Sequence, residues 1–417
     1  MKVLLLTTTT GYQTQSFAEA ALRVGLTPVF GSDRCHRLAD PWRDGALPLR
    51  FHQAGQAVAA VVAFARQEGV AGIVALGDAP VLTAALACRE LGLPFHPPEA
   101  AAACRDKFLM RQKLGEAGLP VPAVMRLPAD GPGEPPPETP FPCVLKPGSL
   151  SASRGVIRAN DPGEFRAAFR RIAELIRSPE VQAKGEEITG QILVESFIPG
   201  KEFALEGIME RDRLHPLALF DKPDPLDGPY FEETIYVTPS RLPQAAQQSI
   251  LEAMERAAAA LGLYHGPVHA EARWNEVGPW VLELAARPIG GLCARALRFQ
   301  GGIGLEELIL RHATGQSVAG TRREDAAAGV MMIPVPQAGV LHSVEGVDAA
   351  GAVPGVTEVV ITAKSGEKLV PWPEGSSYPG FIFARASRPE EVEAALRTAH
   401  RKLRWRVAES LRVVSGG

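Results

Sequence analysis

The sequence predicts an α/β N-terminal parallel-sheet domain, then a larger α+β unit, then a small α+β C-terminal domain. Three observations carry this. Up to about residue 91, short apolar strands alternate with helices, the pattern of a parallel sheet with right-handed crossovers. Beyond a Pro/Gly/Glu-rich stretch (128–142), apolar runs are joined by turns rich in Gly, Pro, Asn and Ser, as in antiparallel sheets. From about Thr321, three short strands precede one closing helix. The expected boundaries are 1–97, 98–320 and 321–417.

The 417 residues are too many for one ordinary core, and 46% apolar with 22% charged residues describes a soluble globular chain. A net charge of −3 offers no electrostatic reason to bind nucleic acid or an anionic membrane. The five cysteines (Cys35, Cys88, Cys104, Cys143, Cys293) are odd in number, scattered and without a CxxC pair. That argues against a disulfide framework or a zinc site and fits a reducing cytoplasm. The opening MKVLLLTTTTGYQ has an apolar run too short for a signal peptide, and no run approaches the roughly 18 residues of a membrane span. The expected location is cytoplasmic.

In order, Lys2 to Thr7 reads as a buried strand, Thr14 to Val24 as a helix and Leu26 to Phe30 as a second strand. A helix from Val58 to Gln67, a strand from Ile73 to Leu76 and a helix from Val81 to Leu91 follow. The turn TTTTGYQTQ lacks the GxGxxG spacing, which argues against dinucleotide binding. After a boundary at Pro94 to Pro98, a helix starts near Arg105 with Asp106 as N-cap and runs to Gly118. PCVLKPGSLSASRGVIRAN is strand, loop and strand, followed by a helix from Pro162 to Arg177 capped by Asn160 or Asp161. Gln191 to Ile198 and Glu202 to Met209 are expected to form a hairpin turning at Pro199-Gly200. Helices follow at Pro243 to Gly262 and Leu305 to Gly315, and a last one carries Val392, Leu396, Ala399 and Leu403.

Between the first two of these lies VHAEARWNEVGPWVLELAARPIGG, a hairpin from Val268 to Gly291. Folded about Val277, it sets Trp274 against Trp280, Ala272 against Leu282, and Glu271 against Glu283. Like charges directly opposite on neighbouring strands destabilise the pair. Such a pair is kept on a solvated face or around a cation, and carboxylates of this kind suit Mg²⁺. Arg287 would add a fixed positive charge beside it. His269 shares the face of Glu271, where a packing or hydrogen-bonding role is expected.

Lys146 ends a strand and opens a loop holding Gly148, Ser149, Ser151, Ser153, Arg154 and Gly155. Small residues let backbone N–H groups turn inward, so this is either a mobile basic tip or a polyphosphate clasp. No helix follows it, so it is not the GxxxxGK[ST] loop. Glu195 sits in an apolar strand, and Glu202 and Glu206 share a face of the next, either facing solvent or placed to hold a ribose. Lys107 alone reads as a solvated lysine.

The order Lys107, Lys146 with its Gly/Ser loop, Glu195 to Glu202, Glu271, Glu283 and Arg287 resembles the ATP-grasp superfamily over about Pro98 to Gly315. The resemblance implies an α+β ATP-grasp fold with two antiparallel-sheet lobes holding ATP between them. It implies that Lys107 and Lys146 contact phosphates, Lys146 also approaching the adenine, and that Ser149, Ser151, Ser153, Arg154 and Gly155 close over the β- and γ-phosphates. The strand through Glu195, Phe197 and Ile198 would read the adenine edge, and Glu202 would hold the ribose hydroxyls. Glu271 and Glu283 would carry Mg²⁺, with Mn²⁺ as the alternative ion, and Arg287 would face an acyl phosphate. Lys146, Glu283 and Arg287 form the catalytic set.

One departure narrows the branch. Many members read Glu-x-Asn after the second metal glutamate; here Ala285 stands in ELAARPIGG. The Ala-Ala-Arg form, MMIPVPQAGVL and YPGFIFARASRPEEVEAALRTAHRKL resemble the L-amino acid ligase branch, which joins two amino acids into a dipeptide. The resemblance further implies an acidic residue holding the substrate amino group: Glu233, with Glu232 the alternative. The expected partners are small carboxylates and amines, and dimers are frequent in such families. Competing readings are an ATP-grasp ligase for bicarbonate or a nucleotide precursor, a silent ATP-binding module, and an NAD-dependent enzyme, the last opposed by the missing glycine fingerprint.

Overall fold

The computed structural model describes residues 1–8, 11–33, 46–182 and 190–409. Four parallel strands open the chain, β1 (Lys2–Thr7), β2 (Thr27–Ser32), β3 (Leu47–Pro48) and β4 (Val70–Leu76), in the order β3-β2-β1-β4. Helices α1 (Thr14–Arg23), α2 (Ala54–Glu68) and α3 (Val81–Leu91) connect or flank them. Val3, Leu4, Leu5 and Leu6 are all fully buried, as a parallel strand covered on both faces requires. Helix α2 begins four residues before the expected start, because AGQA carries no apolar periodicity to announce it.

Helix α4 (Pro98–Arg105), absent from the sequence reading, runs into α5 (Lys107–Glu116). Asp106 separates the two with an extended backbone. Its Oδ1 accepts from the N–H groups of Phe108 and Leu109 at 2.9 and 3.1 Å, which fixes Lys107 as the first helical residue.

A small lobe follows. Strands β5 (Val124–Pro128), β6 (Cys143–Pro147), β7 (Ile157–Ala159) and β8 (Gln191–Ser196) form an antiparallel sheet ordered β5-β8-β6-β7. Helix α6 (Pro162–Arg177), capped by Asp161, packs Phe165, Phe169, Ile172 and Ile176 against Leu145, Ile192 and Val194, and α7 (Pro179–Gln182) trails it.

The large sheet has eight antiparallel strands, ordered β13-β12-β9-β10-β11-β16-β20-β18. Its first part comprises β9 (Lys201–Glu210), β10 (Arg213–Asp221), β11 (Ile235–Thr238), β12 (Gly266–Asn275) and β13 (Gly278–Ala285), backed by α8 (Gln244–Leu261). After a short pair, β14 (Arg298–Phe299) and β15 (Ile303–Gly304), comes α9 (Leu305–Ala313). The C-terminal part comprises β16 (Ala327–Met332), β17 (Gly339–Glu345), α10 (Val347–Gly351), β18 (Val356–Ile361), β19 (Lys368–Leu369), β20 (Gly380–Ala386), α11 (Pro389–His400) and β21 (Arg404–Ala408). Strands β16, β20 and β18 continue the large sheet, whereas β19, β17 and β21 form a separate one. Val392, Leu396 and Ala399 of α11 are buried on the sheet, close enough that a Cβ at Gly329 would meet Val392 at 2.7 Å.

Two expectations are corrected. Strands β8 and β9 are not a hairpin: β8 lies between β5 and β6, and β9 between β10 and β12, in different sheets. Pro199-Gly200 is the crossing between the lobes. Gly200 is required there, because at φ 121° an added Cβ would lie 2.3 Å from the Trp274 carbonyl oxygen. A Pro-Gly pair between apolar runs looks the same locally whether it turns a hairpin or crosses between sheets. In the β12–β13 hairpin, Glu271 does oppose Glu283 and His269 opposes Ala285. A bulge after Glu271 shifts the rest, so that Ala272 pairs with Val281, Arg273 with Trp280 and Trp274 with Pro279. Leu282 is the extra residue, and the tip is the tight Glu276-Val277 turn.

One core joins all three parts: Phe17, Phe220, Tyr236, Phe299 and Phe381 are buried in a single cluster. No helix of the described residues is long and apolar enough to cross a membrane.

Candidate active site

Three charged groups hold the residues of interest. The largest is centred on Lys222, at the end of β10. Its Nζ donates to Glu202 and Glu271 at 2.8 Å each and to Glu233. Burial opposes a charge here, yet the three carboxylates outweigh it and hold the ammonium well above the ordinary lysine range. Glu271 is pulled well down against its own burial by Lys222 and His269, whereas burial, with repulsion from Glu271 and Glu202, pushes Glu233 up to about 7. Glu233 also accepts from the Tyr236 hydroxyl at 2.9 Å. Glu202 takes a second cation, the Arg273 Nε at 3.1 Å.

His269 bridges the next layer. Its Nδ1 bonds Glu206, and its Nε2 lies 3.4 Å from Glu271. Burial lowers its basicity, but Glu206 prevails and brings it up to about 9. Glu206 also accepts from the backbone N–H of Ile289 at 3.1 Å, and Gln13 donates to the Ile289 carbonyl. The segment after β13 is thereby held at both backbone groups of one residue.

That segment carries Arg287, the centre of the second group. Its Nε and Nη2 donate to the two oxygens of Asp78 at 2.6 and 3.2 Å. Burial would raise Asp78, but Arg287 outweighs it and lowers the carboxyl to about 2. Lys107, first in α5, lies 3.4 Å from Glu283. Glu271 and Glu283, opposite one another across the hairpin, are thus each balanced by a different lysine.

The third group is in the small lobe. Lys146 Nζ is 2.6 Å from Glu195, which Arg111 also holds at 3.0 Å. Burial takes Lys146 down to about 8, despite Glu195. Nearby, Arg158 and Arg273 lie over the Phe197 ring at 4.0 and 5.0 Å, and the Ile198 carbonyl accepts from Arg273 at 2.6 Å.

The Gly/Ser loop divides in two. Ser149 Oγ is buried with no protein partner. Arg154, expected to reach phosphate, instead pairs with Glu180 at 2.8 Å and donates to the Glu374 carbonyl, while the Gly155 N–H donates to Pro373. Both residues spend these donors on protein. Ser151 and Ser153 precede them in the loop.

Of the expected residues, Glu202, Glu233 and Glu271 meet at Lys222, Lys107 lies beside Glu283, and Lys146 pairs with Glu195, whereas Arg154 and Gly155 turn to Glu180, Pro373 and Glu374. The sequence reading missed Lys222, Asp78, Arg111 and Arg273. Lys222 follows an apolar strand and precedes a proline, where no local pattern announces its burial; Asp78 lies just beyond the C-terminal end of a parallel strand, where α/β sheets place functional residues. Hard carboxylate oxygens suit Mg²⁺. Glu202, Glu233 and Glu271 offer oxygens within 4.8 Å of one another, and the opposed Glu271 and Glu283 keep their like charges only with cations beside them. The carboxylate chemistry suits a divalent ion, although Lys222 Nζ lies among the first three carboxylates and Lys107 lies beside Glu283.

Comparison with known proteins agrees with this geometry. The sequence family described as the ATP-grasp domain matches residues 139–296, the ATP-grasp N-terminal domain residues 18–95, and the L-amino acid ligase C-terminal domain 2 residues 331–408. The crystal structure of L-amino acid ligase from Bacillus licheniformis superimposes with a TM-score of 0.83 at 26% identity, covering 98% of this chain and 99% of that one. Protein y4rH of Sinorhizobium fredii is 25% identical over 81% of this chain and 69% of its own length. The alanine–anticapsin ligase of Bacillus subtilis is 28% identical over 61% of this chain, and the match spans 56% of that ligase. The chain carries an ATP-grasp domain with its N-terminal domain and the C-terminal domain of the L-amino acid ligases.

Proposed function

We propose that this protein is an ATP-dependent carboxylate–amine ligase that joins two amino acids. A substrate carboxylate attacks the γ-phosphate of ATP, giving an acyl phosphate and ADP; an amine then attacks the acyl carbon and expels phosphate. The observation that carries the reading is the pairing of Glu271 with Glu283 across one hairpin, with Lys107 beside Glu283, and it is supported by the Lys146–Glu195 pair of the small lobe. Such chemistry needs charge neutralisation and in-line placement more than a nucleophilic side chain. Relatives named as L-amino acid ligase and alanine–anticapsin ligase support amino acids as the substrate class.

In this reading residues 1–97, 98–320 and 321–417 are the three domains. Glu271 and Glu283 hold Mg²⁺, which neutralises phosphate charge when bound. Lys107 and Lys146 take the phosphates, the loop from Ser149 to Gly155 covers them, and Glu202 takes the ribose hydroxyls. The adenine edge is read by the backbone near Phe197 and Ile198. Arg287, with its planar fork, faces the acyl phosphate, and Asp78 fixes the orientation of that fork. Glu233 holds the substrate ammonium, sharing the carboxylate cluster with Lys222.

A pairwise screen of amino acids and other carboxylic acids, scored for ADP release and product mass, tests this. Amide or peptide products support it; products of another class overturn it.

A further inference from the structure

We infer that Trp372, Pro373 and Glu374 of the C-terminal part position the loop over the phosphates, so that this part of the chain governs the ATP half of the reaction. The identity of what the loop covers rests on the ligase reading; the contact itself does not.

Three hydrogen bonds tie Ala152, Arg154 and Gly155 to this segment. Trp372 Nε1 donates to the Ala152 carbonyl at 2.9 Å, Arg154 Nε donates to the Glu374 carbonyl at 2.8 Å, and the Gly155 N–H donates to the Pro373 carbonyl at 2.7 Å. The loop's own turn bonds are longer, 3.3 Å from Arg154 N–H to Ser151 and 3.2 Å from Val156 N–H to Ser153. Ala152 and Ser153 have φ of 57° and 53°, the left-handed region that residues with a Cβ avoid. A loop of this backbone needs outside partners to persist, and residues 372–374 supply them.

The segment is itself anchored. The Glu374 carboxylate is held by Arg171 of α6, which also bonds the Tyr230 hydroxyl. The Trp372 ring lies 4.8 Å from that of Tyr378. Tyr378 donates its N–H to the Tyr12 hydroxyl at 3.1 Å, and its carbonyl accepts from Thr362 at 2.8 Å. A line of direct contacts therefore runs from the N-terminal domain, through the C-terminal part, to the loop tip. Ala152, Arg154 and Gly155 spend donors and acceptors on the anchor, while the buried Ser149 hydroxyl has no protein partner and remains for a ligand. Trp372 and Glu374 are positioning residues that act through the loop.

The test uses the full-length protein with Trp372→Phe, which keeps an aromatic ring and removes the N–H donor, and Arg171→Gln, which releases the half-exposed Glu374 side chain. Hydrogen exchange of the peptide spanning residues 149–157, measured without nucleotide, should speed up about tenfold in each. The KM for ATP should rise about fivefold or more, with the KM for the amino acids within twofold. Unchanged exchange in both folded variants overturns the inference, as does an equal rise in both KM values. A wild-type protein that binds no ATP sinks the ligase reading, but the exchange comparison still decides whether the segment holds the loop.

Discussion

Asp78, just beyond the C-terminal end of β4 in the parallel sheet, grips Arg287, just beyond β13 in the large sheet, through both of its oxygens. The two residues are 209 positions apart, and their pairing brings the first domain into the candidate active site. Hydrogen bonds to charged groups are worth about 1.5–3 kcal/mol. Asp78→Asn should therefore lower kcat/KM by roughly ten- to a hundredfold, with ATP affinity, measured by titration, essentially unchanged. A variant with wild-type turnover would remove Asp78 from the account.

Lys222 is the counterweight for three carboxylates. Lys222→Met leaves Glu202, Glu233 and Glu271 facing one another without it, and breaking a buried ionic group of this kind costs about 3–5 kcal/mol. Urea unfolding should show a loss of that order. Adding Glu233→Gln to Lys222→Met should recover part of it, because one of the repelling charges is then gone.

Much of this was legible in the sequence. The helices at Val81–Leu91 and Pro162–Arg177, the cap at Asp106, a cap at Asn160 or Asp161 (the structure uses Asp161), and the Glu271–Glu283 pairing all follow from local patterns of apolar spacing, capping and turn residues. What escaped is non-local. Lys222 lies in DKPDPLDG, which reads as a polar turn, and its burial comes from strands supplied by three other segments. Gln191 to Ile198 reads as half of a hairpin because nothing in it shows that its partners are Val124 to Pro128 and Cys143 to Pro147. The Trp372–Glu374 segment has no periodicity at all, and its role depends on a loop more than 200 residues earlier.

Lys146 supplies a pH test. Burial lowers it to about 8, so it is charged below that pH and neutral above it. In the free enzyme, attraction for phosphate should fade as pH rises through about 8, and kcat/KM for ATP, which reports free-enzyme groups, should fall with it. Lys146→Met should show a lower kcat/KM without this alkaline limb. An unchanged limb in the variant would assign it to another group.

His269 is shifted in the opposite direction. Its pairing with Glu206 raises it to about 9, above the ordinary histidine range near 6.5. Its contribution to stability is complete below the unfolded value and is lost as pH rises through the folded one. Between pH 6.5 and 9.5 the wild-type protein should lose stability on the order of 3 kcal/mol more than His269→Gln does. Chemical denaturation at the two pH values checks this, and parallel losses in both proteins would refute a charged His269.

The central claim is an acyl phosphate formed from a substrate carboxylate, and oxygen tracing tests it most directly. With an ¹⁸O-carboxylate-labelled amino acid, the released inorganic phosphate should carry one ¹⁸O per turnover, alongside ADP. Glu283→Gln should abolish both signals. Unlabelled phosphate during product formation, or release of AMP and pyrophosphate, would contradict the account.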